Sequence, residues 1–100
     1  MILTTTNSVE DYKILAYRGI VSGTSIDMQK MTLTFNMTKY YEGLTQSVNE
    51  VKAKAFEELK ADAEKLNANA VIGISIDIEL TTSNCIMVSV SGTAVSIVKR

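Results

Sequence analysis

From Ser47 to Leu66 the apolar residues Val48, Val51, Ala55, Phe56, Leu59, Ala63 and Leu66 recur at intervals of three and four. That spacing places them along one face of a helix. The remaining positions (Glu50, Lys52, Lys54, Glu57, Glu58, Lys60, Asp62, Glu64, Lys65) are charged, as on a solvated surface laced by i,i+4 pairs such as Lys54 with Glu58. Ser47 and Glu50 have the spacing of a capping box, in which serine oxygen and glutamate carboxylate satisfy amides that a helix start leaves open. Asn67 is the expected stop, because asparagine tolerates the left-handed backbone that ends helices.

At Ala70 the period changes to two. Ile72, Ile74, Ile76, Ile78 and Leu80 share one face of a strand, and Gly73, Ser75, Asp77 and Glu79 share the other. A helix should cover the isoleucine row. Thr81, Thr82, Ser83 and Asn84 are expected to carry a turn into a second strand, with Ile86, Val88 and Val90 opposed to Met87, Ser89 and Ser91. A hairpin that keeps both apolar rows on one face pairs even numbers with even numbers, through a loop of three or five residues. Gly92 suggests a bulge or a close backbone approach. A helix of about twenty residues (~30 Å) would lie along most of an eleven-residue strand (~36 Å).

Tyr12 to Gly23 reads as a further strand, with Ile14, Ala16 and Ile20 alternating against Lys13, Leu15, Tyr17 and Val21. Both of its faces are partly apolar, as in a strand buried on two sides or lying in an interface. Ser25 to Gly43 fits either period, and its threonines favour extended structure. Its methionines read as adaptable packing. The fold class that follows is α+β with two layers: an antiparallel sheet with one long helix packed on one face, forming a single domain over residues 1–100.

Composition narrows the function. Ten Lys and Arg against eleven Asp and Glu give a net charge of -1, so there is no basic stripe for nucleic acid. The amino end has neither a positive n-region nor an apolar run of secretory length, and no stretch approaches ~18 apolar residues, so a cytoplasmic protein without a membrane partner is expected. Cys85 is the single cysteine and histidine is absent. The second fact removes the commonest general base and metal ligand together, and no enzyme is expected. A three-residue hairpin loop would set Asp77 opposite Met87 and Glu79 opposite Cys85, clustering two oxygen and two sulfur ligands that could hold a metal ion. The plainer alternative leaves the carboxylates as outward strand residues and Cys85 as a partly packed thiol. Asp77 and Glu79 could form an acid–base pair only in a cleft that splits their environments. Tyr40, Tyr41 and Glu42 could line a ligand pocket between subunits or simply pack near the start of the helix. The sheet face away from the helix still presents Val71, Met87, Val95 and Ile97. Either the amino-terminal third or a neighbouring subunit must bury that row, and a cyclic homo-oligomer would also pair exposed strand edges.

Several segments, taken in order, resemble the YbjQ-like family: Leu3-Thr4-Thr5-Thr6, Gly19-Ile20-Val21-Ser22-Gly23, Ala55-Phe56-Glu57-Glu58-Leu59, Asn67-Ala68-Asn69-Ala70-Val71-Ile72-Gly73 and Met87-Val88-Ser89-Val90-Ser91-Gly92-Thr93-Ala94-Val95. This bacterial family is labelled a candidate heavy-metal-binding domain. The resemblance implies a dodecin-like subunit assembled into a ring, typically a pentamer. The chain departs from the family between about residues 24 and 46, where members carry a helical segment, Gly-Arg-Ser and a tyrosine. Here the region reads Asp27-Met28-Gln29-Lys30-Met31-Thr32-Leu33-Thr34-Phe35 and then Thr38-Lys39-Tyr40-Tyr41-Glu42-Gly43, so a ligand role tied to that motif does not transfer. Asn67 also stands where the family usually has glycine. The expectation is a non-enzymatic, ring-forming homo-oligomer that binds a metal ion or small ligand. The alternative is an assembly protein whose ring is its function; an enzyme with its site between subunits comes third.

Overall fold

A computed structural model describes residues 1–28, 37–80 and 85–100, with side chains for 1–27, 45–80 and 85–100. The elements are β1 (Ile2–Leu3), β2 (Tyr12–Met28), α1 (Met37–Lys65), β3 (Ala70–Leu80) and β4 (Cys85–Lys99). They form one four-stranded sheet in the order β1-β3-β4-β2, with one helix packed on it. The sheet is mixed where an antiparallel one was expected. The chain's first residues run parallel to β3, pairing Ile2 with Ala70 and Leu3 with Val71, and two residues are too few to carry a period of their own.

The helix ends where the sequence says it should. Asn67 has φ 59°, its amide donates to the Glu64 carbonyl, and the Ala68 amide donates to Ala63. Together these make a Schellman motif closing the last turn. Its start is earlier than expected: α1 begins at Met37, so Ser47 and Glu50 lie inside the helix and cap nothing. The extended reading of residues 25–43 holds for 25–28, which continue β2, and is corrected for 37–43, which are helical; 29–36 lie outside the described residues, as does the expected turn at 81–84.

Val51, Ala55, Leu59 and Ala63 are buried on the helix stripe. They meet β2 and β4, and α1 scarcely touches β3. Closest approach is at Gly23, where an added Cβ would collide with the Ala55 carbonyl oxygen and come within 2.8 Å of the Leu59 nitrogen. The helix therefore lies over the β2–β4 half of the sheet, to one side of β3 and its isoleucine row.

That row is also split. Ile72 pairs with Thr93 but Ser75 pairs with Ser91, so Gly73 and Ile74 together oppose Gly92. Gly73 has φ 61°, the left-handed glycine of a bulge. The extra residue reverses the side-chain alternation. Ile72 packs with Ala70, Val95 and Ile97 on one face, while Ile74 joins Val71, Val88, Val90 and the helix on the other. Ile76, Ile78 and Leu80 follow Ile74 onto the helix side, beyond the helix's reach, and are 43%, 44% and 60% exposed. The expected full cover is thus confined to Ile74. Gly92 supplies the close approach read from sequence: a Cβ there would lie 2.7 Å from Val71 Cγ1.

On the face away from the helix, Val95 and Ile97 are covered by Ile2, Val9, Tyr12 and Ile14. The amino-terminal segment buries that part of the row, one of the two solutions anticipated. Val71 does not belong to the row, because it faces the helix.

Candidate functional site

The four candidate ligands stand at the end of the hairpin nearest its turn. Their strands pair as Leu80 with Ile86, Ile78 with Val88 and Ile76 with Val90. Even numbers face even numbers, as expected, but across a five-residue connection. The acid–sulfur pairing moves by one step accordingly. Glu79 is opposite Met87 and Asp77 is opposite Ser89, instead of Asp77 with Met87 and Glu79 with Cys85. Cys85 finds its register partner on β2, where Met28 stands opposite it, and Ile26 stands opposite Met87.

The consequence for coordination is geometric. Asp77 pairs with Ser89, four residues from Cys85, a separation of roughly 13 Å along the strand. Ligands of one ion lie at about 2.0–2.6 Å from it, so these two short side chains cannot share an ion within one subunit. Glu79 and Met87 are neighbours across the ladder, and Cys85 is the next residue along the same face of β4. Asp77 and Glu79 are exposed, and Cys85 and Met87 are partly buried. Among the described residues, no group of three or more Cys, Asp and Glu side chains is placed to hold a metal ion. Met28, which the sequence reads as adaptable packing, is the residue that the register of β2 sets beside Cys85.

The charged helix face, read as merely solvated, does more than that. Glu58 Oε2 accepts a hydrogen bond of 2.9 Å from the Thr24 amide, and Asp62 Oδ2 accepts one of 3.4 Å from Ser22. Beside them runs an open groove of about 410 Å³ lined by Thr24, Ser25, Lys54, Glu57, Glu58 and Ala61. The chain has no histidine, so the groove lacks the commonest general base. The side chains of Tyr40, Tyr41 and Glu42 lie outside the described residues. Among the described residues, no helix is long and apolar enough to cross a membrane.

Comparison with known proteins agrees with this fold. The chain is 41% identical to a UPF0145 protein of Clostridium kluyveri over 104 aligned residues, covering 95% of this chain and 97% of that protein. A UPF0145 protein of Acetivibrio thermocellus is 37% identical, covering 97% and 99% of the two chains. The fold matches the crystal structure of a protein of unknown function from the DUF74 family of Pediococcus pentosaceus, with TM-score 0.72, 22% identity and 98% of each chain covered. A family model described as "Putative heavy-metal-binding" matches residues 1–98, and the chain belongs to this YbjQ-like family.

Proposed function

We propose that this chain is a non-enzymatic cytoplasmic protein that assembles with copies of itself into a closed ring, a pentamer, and holds a metal ion or small ligand there. The observation that carries the assembly is the strip of Ile76, Ile78 and Leu80 on the helix side of β3, 43%, 44% and 60% exposed, an apolar row that a second copy would bury.

The ligand reading rests on the family description and on the donors at the end of the hairpin. Glu79, Cys85 and Met87 share one sheet face, with Asp77 one step further along it. Three donors of mixed hardness on an open face make an incomplete set, and a ring would bring the same set from neighbouring subunits to one rim. The reading without a ligand, in which the ring alone is the function, is favoured by the wide spacing of Asp77 from Cys85.

Native mass spectrometry of untagged protein, offered copper or zinc, distinguishes them. A pentamer that gains ion mass, and loses it in Cys85→Ala or Glu79→Ala, supports the binding protein. A pentamer that stays empty supports the assembly reading, and a monomer overturns both.

A further inference from the structure

β2 is an outer strand of the sheet, so alternate amides along it have no sheet partner and invite another strand. At the middle of this edge, the two amides of Ser22 and Thr24 are instead bound by the carboxylates of Asp62 and Glu58. We infer that Glu58 and Asp62 guard this edge, blocking the strand of a second copy from adding to β2 at Ser22–Thr24.

The fit between helix and strand makes this possible. Four helical residues rise about 6.0 Å and two strand residues about 6.6 Å. Carboxylates at i and i+4 on α1 therefore meet amides at j and j+2 on β2, with the helix running against the strand. Gly23, between the two guarded amides, brings the elements close enough, since its missing side chain leaves room for the helix backbone at Ala55 and Leu59. The device has a defined end. One turn earlier the helix offers Lys54, an ammonium that can only donate, so the ladder of acceptors stops at Thr24. The amino-terminal part of the edge is managed differently: register shifts between Ile14 and Ala16 and between Tyr17 and Gly19 interrupt its regular ladder, and bulges blunt strand addition.

An acceptor at these positions is the requirement, not a charge. The test compares Glu58→Ala/Asp62→Ala with Glu58→Gln/Asp62→Asn, which keeps an oxygen at each position, in the full chain. Amide hydrogen exchange of Ser22 and Thr24 is read by NMR and assembly size by native mass spectrometry. In the alanine pair both amides should exchange about tenfold faster, the loss of one ordinary hydrogen bond each, and species larger than the wild-type assembly should appear. The amide pair should restore both readouts. Unchanged exchange in the alanine pair overturns the inference. Faster exchange without larger species overturns it too, since the carboxylates would then cap the edge without excluding anything. Loss of the wild-type assembly would also overturn it, by making these carboxylates part of an interface.

Discussion

Gly23 and Asn67 are two residues at which backbone geometry leaves little freedom. Gly23 is a matter of space: helix and sheet touch backbone to backbone there, and neither Ala55 nor Leu59 can yield without moving the helix. Gly23→Ala should therefore cost more than ordinary overpacking, at least ~2 kcal/mol. A melting curve should shift down by ~8–16 °C, and a shift of under ~3 °C would mean that the helix can ride away from the sheet at little cost. Asn67 is a matter of conformation. Its φ of 59° suits glycine best and β-branched residues worst. Asn67→Val should lose ~1–2 kcal/mol in denaturant unfolding while Asn67→Gly holds or gains stability. Equal losses in both would show that the asparagine side chain, rather than the turn, sets the stop.

At the scale of elements, the β3–β4 ladder begins before its first regular pair. The side chain of Asn69 acts as one more peptide unit: its Nδ2 donates to the Ile97 carbonyl at 2.8 Å and its Oδ1 accepts from the Ile97 amide at 2.7 Å. The Asn69 amide itself donates to the Val95 carbonyl. This clamp ties the end of the helix–strand junction to β4 beside the second apolar cluster. Asn69→Ala leaves a partly buried strand segment without its two partners and should cost ~1–3 kcal/mol. The Ile97 amide should lose protection in hydrogen exchange, whereas amides at Val88 and Val90 should keep theirs if the rest of the hairpin holds. Legibility at this scale followed the strength of local signals. The bounds of β3, the Asn67 stop and the even-to-even pairing are all local patterns, and they stand in the structure. The helix start was hidden because Ser47 and Glu50 look the same inside a helix as at its cap. The split of the isoleucine row was hidden for a subtler reason: Ile72 and Ile74 keep the same parity on paper, and only a left-handed Gly73 puts them on opposite faces. The acid–sulfur cluster depended on a loop length that parity narrows to three or five without choosing. Five moves Glu79 from Cys85 to Met87, so the cross-strand pairing of the candidate ligands differs from the one expected.

The molecule as a whole is long and thin, 56 × 22 × 16 Å, with a radius of gyration of 16.7 Å where a compact domain of this length has ~13 Å. A chain so drawn out has few places to hide apolar residues, and its two clusters are both narrow. The helix closes one, the amino-terminal segment closes the other, and neither reaches Ile76, Ile78 and Leu80. Their exposure decides what a substitution there should do. In a separate subunit, Ile76→Ser/Ile78→Ser removes side chains that are 43% and 44% exposed and otherwise packed, so unfolding free energy should fall by ~1–2 kcal/mol for each while the chain still folds. In an assembly that buries them, each forfeits ~1 kcal/mol of apolar burial, so each interface weakens about thirtyfold. Because a closed ring repeats the same contact at every junction, the loss recurs around it. Sedimentation at decreasing protein concentration should then show the double variant dissociating at least ten times earlier than wild type, with the circular dichroism of the dissociated subunit that of a folded chain. Dissociation that tracks wild type would place the contact elsewhere on the chain, whereas unfolding together with dissociation would mean that the strip stabilises the subunit itself.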